Sequence, residues 1–280
     1  MQCRILEGKS IASTIQQEVR EAVGKLQGRP PCLAVIIVGN HPASEIYVSR
    51  KVQACEDVGI RSLKLAFPET ISEHELIYEI EMLNADPSAD AILVQLPLPA
   101  HINPLHIAEA IAPSKDVDGL HPENLGRLLM GDPDGIAPCT PMGMMALLER
   151  SGIKVAGKHA VIIGRSLIVG KPMAALLLKA NASVTQLHSQ SERLPEICRT
   201  ADLIIAAVGK PRFLTKEMVK QGAAVLDVGI NRVDGKLVGD ADFDALLPLC
   251  SAITPVPGGI GPLTIAELLA NTLKCYKKQL

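Results

Sequence analysis

The chain has 280 residues, 48% of them hydrophobic and 21% charged, with a net charge of −2, three tyrosines, three phenylalanines and no tryptophan. That length points to two domains, each large enough to bury its own core. A near-neutral chain with so few aromatic rings has neither the basic footprint nor the stacking faces of a nucleic-acid binder, and that class is set aside.

The seven cysteines, at 3, 32, 55, 139, 198, 250 and 275, are odd in number and scattered, so they read as reduced thiols. Cys55 and Cys198 fall on apolar faces as small core residues. The chain has no HExxH and no Cys/His cluster at zinc spacing, and no metal is expected. The first residues lack the apolar run of a signal peptide. Lys179, Arg193 and Lys210 break the most apolar stretch before it reaches membrane length, so the expectation is a cytoplasmic protein without membrane contact.

In chain order, a helix is predicted near Ser10 to Leu26. The β-branched run Cys32 to Val38, ending at Gly39-Asn40, reads as a buried parallel strand. A helix from Ser44, its cap, to Asp57 follows, then a strand near Leu63 to Ala66, a helix from Ser72 to Asn84 and a strand over Ala91 to Gln95. Pro97, Pro99, Pro104 and Pro113 then punctuate the chain, and the stretch from Asp116 to Pro141 reads as the interdomain region. A second alternation has strands near Ala160–Ile163, Ser183–Leu187, Leu203–Val208, Ala224–Val228 and Ala252–Thr254. The fold class is α/β, two parallel-sheet lobes flanking a cleft, with right-handed crossovers. The expected domains are 1–140 and 141–262, with a terminal helix over 263–280 that can pack back on the first. No fixed-period repeat or low-complexity segment is present.

Several segments carry candidate chemistry. Thr254 to Thr264 holds three prolines and three glycines between a strand and a helix, the composition of a rigid, ligand-facing turn, although helix punctuation alone also accounts for it. Gly164-Arg165-Ser166-Leu167-Ile168-Val169-Gly170-Lys171-Pro172 follows a buried strand and opens a helix, where a pyrophosphate meets free N–H groups. Its spacing is GxSxxxG, not GxGxxG, so context carries the reading, and a glycine-capped turn is the alternative. A site for NAD expects an acid at the end of the next strand, but His188-Ser189 stands there. With Arg165 in the loop, NADP is favoured, unless Arg165 merely solvates a surface turn.

Tyr47 and Lys51 are four apart on one helix face, beside the apolar positions Val48, Val52 and Cys55, with Ser44 one turn earlier. Alone, such a lysine reads as a solvated charge. Gln95 ends a strand before Pro97-Leu98-Pro99, and Asp118 lies in a loop at the same carboxyl edge; Asp116 and Asp118 equally suit a plain turn. No GxxxxGK[ST] and no GxSxG occurs, so ATP-driven ligation and serine hydrolysis lack support.

Taken together, these segments resemble the bifunctional methylenetetrahydrofolate dehydrogenase/cyclohydrolase (FolD) family over nearly the whole chain. The resemblance is carried in order by Val38-Gly39 through Ser44, Tyr47-Val48 and Lys51; Gln95-Leu96-Pro97-Leu98-Pro99; Lys115-Asp116-Val117-Asp118-Gly119 through Asn124, Gly126 and Leu128; Gly164-Arg165-Ser166 through Pro172; and Pro255-Val256-Pro257-Gly258-Gly259. It implies a Rossmann-like NADP-binding second lobe and two reactions in one cleft: NADP-dependent oxidation of 5,10-methylenetetrahydrofolate, then hydrolysis to 10-formyltetrahydrofolate.

By the same resemblance Lys51 is the acid/base group, Gln95 orients it, Tyr47 packs against the folate and Asp118 holds the pterin. Gly164, Arg165, Ser166, Ser189 and Ile230 go to NADP, and Pro257, Gly258 and Gly259 to the folate side. A homodimer paired through the cofactor lobe is also implied. Glu7 and Ser191 depart from the family's usual aspartate and threonine. The remaining alternatives are a dehydrogenase without effective cyclohydrolase activity and a non-catalytic folate or nucleotide sensor.

Overall fold

The computed structural model describes residues 2–39 and 42–280, the side chains of 42–44 excepted. The chain divides into two compact units. One comprises Thr14–Ala137 with Ile265–Leu280; the other comprises Pro138–Thr264 with the chain's opening segment up to Ser13. The opening segment contains β1 (Arg4–Ile5) and the start of α1 (Gly8–Gly24).

The first unit is built on β2 (Cys32–Val38), α2 (Pro42–Val58), β3 (Arg61–Phe67), α3 (Glu73–Ala85) and β4 (Ala91–Val94). Its sheet is parallel, in the order β3-β2-β4. The central strand β2 is buried at all seven positions, which is why its sequence is continuously apolar rather than alternating. Ile36, Leu76, Ile80, Ile92 and Ile107 lie in the core on one side of it. The edge strand β3 is longer than its apolar stretch predicts. Pairing from Cys32↔Arg61 to Val38↔Phe67 draws Arg61, Ser62 and Lys64 into the ladder, so tertiary pairing overrides local propensity.

Ser72 is the cap of α3 and not its first residue: Glu75 N donates to Ser72 Oγ at 3.2 Å while Ser72 N donates to Glu75 Oε2 at 2.9 Å, a reciprocal capping box. Helix α2 starts at Pro42, earlier than expected from Ser44, whose side chain lies outside the described residues. Beyond β4 come α4 (Pro104–Ala110) and α5 (Pro122–Met130), with a parallel bridge between Ile92 and Asp116 on the outer edge of β4.

The larger sheet belongs to the other unit. Its elements are α6 (Cys139–Arg150), β5 (His159–Ile163), α7 (Gly170–Lys179), β6 (Ser183–Leu187), α8 (Leu194–Cys198), β7 (Leu203–Ala206), β8 (Ala224–Asp227), β9 (Asn231–Val233), β10 (Lys236–Val238), α9 (Phe243–Leu246) and β11 (Ala252–Ile253). The six-stranded order is β1-β11-β8-β7-β5-β6, and every pairing is parallel. From β5 the chain steps outward to β6 and then back to β7 on the other side, so the topological switch point lies beside β5. Strands β9 and β10 form a separate antiparallel hairpin closed by Asp234 and Gly235, both at positive φ (48° and 78°), the backbone of an Asp-Gly type I′ turn.

The two ends of the chain each join a unit built mainly from residues distant in sequence. Arg4–Ile5 pairs with Ala252–Ile253 in the larger sheet, because a two-residue strand is recruited by an available edge and carries no period of its own. In α10 (Ile260–Lys277), the part beyond Ile265 belongs with the first unit: Asn271 Nδ2 donates to Val117 O and Ala137 O, both at 2.9 Å, and Gln279 beyond the helix donates to Asp90 O at 2.7 Å. Among the described residues no helix is long and apolar enough to cross a membrane.

Candidate active site

In the first unit, the third turn of α2 places Lys51 half-buried, with Nζ donating to Gln95 Oε1 at 3.0 Å. Gln95 follows β4 directly and is fixed at both ends: its N–H donates to Ile36 O at 2.9 Å, and Nε2 donates to Leu96 O at 2.7 Å. An oriented amide thus presents its carbonyl oxygen to the lysine. Val48 and Cys55 on the same helix are fully buried, whereas Tyr47, one turn before Lys51, is 37% exposed. The helix therefore anchors through its apolar side and leaves a phenol and an amine at the border.

The two aspartates of Asp116-Val117-Asp118-Gly119 separate by environment. Asp116 is buried and accepts hydrogen bonds from Leu120 N, His121 N and Asn124 Nδ2 at 3.2, 2.8 and 2.9 Å, so it shapes the turn, and burial pushes its carboxyl up from the usual range. Asn124 is clamped in turn, giving Nδ2 to Pro113 O at 2.9 Å and taking Ile136 N on Oδ1 at 3.1 Å. Asp118, two residues past the bridge, is half-buried.

In the other unit, the loop after β5 has the geometry of an anion cradle. Gly164 has φ +134°, and a Cβ there would run into Ala207 O; a Cβ on Gly170 would run into Gly164 O. Only glycine permits this fold of the loop over the helix start. Ser166 Oγ accepts from Val169 N at 3.2 Å and Gly170 N at 3.4 Å, tying the loop to the start of α7. Among the described residues the N–H groups of Leu167 and Ile168 have no hydrogen-bond partner, and Arg165 is exposed beside them. Unclaimed N–H groups at a helix start and a neighbouring guanidinium suit a dinucleotide phosphate.

Gly164 N donates to Leu187 O at 2.9 Å, so the loops after β5 and β6 leave the sheet side by side. In the second, Ser189 is exposed, while Ser191 Oγ accepts from His188 N at 2.9 Å. The serine in place of the expected threonine thus keeps the hydroxyl that shapes this turn. Ile230, just past β8, is 51% exposed. In the segment Pro257-Gly258-Gly259, Gly258 has φ +105°, Gly8 N donates to Gly258 O at 3.0 Å, and Gly259 is buried.

A pair of carboxylates at this end of the larger sheet went unread in the sequence. Asp227, at the end of β8, accepts from Gly229 N (2.9 Å), Asp240 N (2.9 Å) and Ala241 N (2.8 Å). Its own N–H donates to Thr254 Oγ1 at 2.7 Å. Asp240 accepts from Val208 N (2.6 Å), Gly209 N (2.8 Å), Lys210 N (2.9 Å) and Asn231 Nδ2 (2.8 Å). The available signal was the mirrored placement of Asp227-Val228-Gly229 and Gly239-Asp240, in which each glycine faces the other aspartate.

Burial, with Asp240 adding to it, pushes the Asp227 carboxyl up to about 6 against the opposing pull of its three N–H donors. Because this lies above the unfolded value of about 4, the native state binds the extra proton between those limits, and this group's contribution to stability falls as pH rises through that window. The stability of wild type relative to Asp227→Asn is therefore expected to drop by about 2–3 kcal/mol between pH 4 and 7, read by denaturant titrations at each pH. A pH-independent difference would refute the assignment.

The comparisons with known proteins agree on one family. The tetrahydrofolate dehydrogenase/cyclohydrolase catalytic-domain model matches residues 6–118, and the NAD(P)-binding-domain model of the same family matches 138–280. A bifunctional protein FolD of Protochlamydia amoebophila is 56% identical over 98% of this chain and 98% of its own. The crystal structure of the bifunctional FolD methylenetetrahydrofolate dehydrogenase/cyclohydrolase of Campylobacter jejuni is 50% identical and superposes with a TM-score of 0.97 over 99% of this chain and all of that one. The Trypanosoma brucei dehydrogenase/cyclohydrolase, solved with NADP cofactor and an inhibitor, is 37% identical with a TM-score of 0.94 over 99% of this chain and 98% of that one. With both family models matched in order and relatives this similar over nearly their full length, the chain belongs to the tetrahydrofolate dehydrogenase/cyclohydrolase family.

Proposed function

We propose that this protein oxidises 5,10-methylenetetrahydrofolate with NADP to the methenyl form and hydrolyses that product to 10-formyltetrahydrofolate. The observation that carries the reading is the Lys51 Nζ to Gln95 Oε1 hydrogen bond of 3.0 Å, an amine held by an oriented amide just past the carboxyl end of the buried strand β4. NADP, when bound, supplies the hydride acceptor.

The chain's own task in the first step is positioning. Loss of hydride leaves a cation shared by two folate nitrogens, so no strong base is needed. Hydrolysis requires water activation and proton delivery to a ring nitrogen, and the Lys51 amino group is the candidate for both, with the Gln95 amide setting its direction. Asp118 is assigned to the pterin, whose adjacent N–H donors match two carboxylate oxygens, and Tyr47 to the folate's aromatic portion. Pro257, Gly258 and Gly259 are assigned to the folate side.

The Gly164 loop is assigned to the pyrophosphate, supported by the unclaimed N–H groups of Leu167 and Ile168 and by the close approach that Gly164 and Gly170 allow. Arg165 and Ser189 take the 2′-phosphate, and Ile230 completes the NADP contacts. In domain terms, 1–140 with the terminal helix is assigned to folate binding and 141–262 to NADP binding, with the opening strand Arg4–Ile5 contributed to the larger sheet. A homodimer through the cofactor unit and a cytoplasmic location complete the proposal.

Purified protein mixed with 5,10-methylenetetrahydrofolate and NADP or NAD, followed separately for reduced cofactor and methenyl product, tests the function. NADPH formation with little methenyl accumulation is expected. Accumulation would leave a dehydrogenase alone, and no reduction by folded protein would sink the enzyme reading. The cofactor assignment is tested by Arg165→Ser, expected to cut the preference for NADP over NAD by about tenfold through KM. An unchanged ratio would remove Arg165 from the 2′-phosphate site.

A further inference from the structure

Asp227 and Asp240 are 3% and 0% exposed, and among the described residues no lysine, arginine or histidine pairs with either. Two other aspartates that tie strands together are paired: Asp90, fully buried before β4, binds Arg29 at 2.6 Å, and Asp202, before β7, binds Lys220 at 2.6 Å. Those two sit at the amino ends of their strands. Asp227 and Asp240 instead serve the carboxyl ends of β7 and β8, the edge where ligands of open parallel sheets bind, and their charges are held by N–H donors alone. Burying two carboxylates without a cation is costly, and it persists only where the surrounding structure specifies it.

The hydrogen bonds show what the cost holds in place. One Asp240 carboxylate gathers three consecutive N–H groups, Val208, Gly209 and Lys210, into a nest at the end of β7, and the same group takes Asn231 Nδ2. Asp227 takes Gly229 N on the other side of Ile230. The two halves also interlock sterically: a Cβ on Gly229 would overlap the Asp240 carboxylate, and one on Gly239 would overlap that of Asp227. Ile230, exposed, is thus flanked by two residues each tied to a buried carboxylate.

The sheet order says which part of a dinucleotide this edge meets. With the pyrophosphate over the Gly164 loop and the 2′-phosphate toward Ser189 beyond β6, the nicotinamide half extends the other way, over β7 and β8. We infer that Asp227 and Asp240 are positioning residues, a buried carboxylate clasp that sets the Val208–Lys210 turn and Ile230 against the nicotinamide half of NADP. The inference rests on the NADP-dependent reading proposed above.

The test compares wild type with Asp240→Ala and Asn231→Ala, measuring KM for NADP and NAD, hydrolysis of methenyltetrahydrofolate, and thermal unfolding. Asp240→Ala is expected to raise KM for both cofactors by about tenfold, leave their ratio unchanged, keep hydrolysis within about twofold, and recover affinity in formate, whose carboxylate can enter the vacated nest. Asn231→Ala, which spares both carboxylates, is expected to raise KM by about threefold. An unchanged KM in folded Asp240→Ala would overturn the inference, as would equal loss of both activities, the mark of a merely structural role. If Asp240→Ala does not fold, an unchanged KM in Asn231→Ala overturns it. If wild type reduces neither cofactor, the proposed function fails and takes this inference with it.

Discussion

Lys51→Met is expected to lower the rate of methenyltetrahydrofolate hydrolysis by a factor on the order of 10³, while KM for NADP stays within about twofold of wild type. Methionine keeps most of the apolar stem that the half-buried lysine packs on α2, so the fold is not asked to close a cavity. What is lost is the amine 3.0 Å from Gln95 Oε1. The amide itself stays in place, because its backbone N–H and Nε2 are bound to Ile36 O and Leu96 O. Gln95→Leu, which keeps the amine and removes its acceptor, is expected to lose less. A Lys51→Met protein with full hydrolytic activity would exclude Lys51 as the acid/base group.

Gly164→Val is expected to remove NADP binding, raising KM by about 100-fold or more, and to lower the unfolding midpoint. Two penalties add. A β-branched residue at φ +134° is strained wherever it sits, and its Cβ is directed at Ala207 O, a backbone atom in the segment that follows β7. Relief requires moving the loop away from β7, which also pulls Gly164 O from Gln186 Nε2, its donor at 2.9 Å, and opens the approach to Gly170. A Gly164→Val protein that keeps the wild-type KM for NADP would show that the phosphate lies elsewhere.

The long elements were legible because their causes are local. Cys32–Val38 is a strand by its β-branched run, and Ser72 with Glu75 marks a helix start by residues three apart. The Gly164 loop was recognisable from its place between strand and helix, even without the usual glycine spacing. Lys51 and Gln95 were legible as candidates only through the order of the motifs, since a helical lysine and a strand-end glutamine are each ordinary alone.

Other features depend on partners distant in the chain. Arg4–Ile5 is a strand only because β11 offers an edge some 250 residues later, and β3 runs to its full length only because β2 pairs along it. Asp116 and Asp118, indistinguishable as neighbours in sequence, acquire different roles when three donors converge on the first. Asp227 and Asp240 are thirteen residues apart, and what joins them, glycine backbones pressed against opposing carboxylates, follows from packing at the sheet edge. Local propensity is written in a run of side chains and can be read residue by residue. The desolvation of a charge depends on everything packed around it, and that environment exists only in the folded chain.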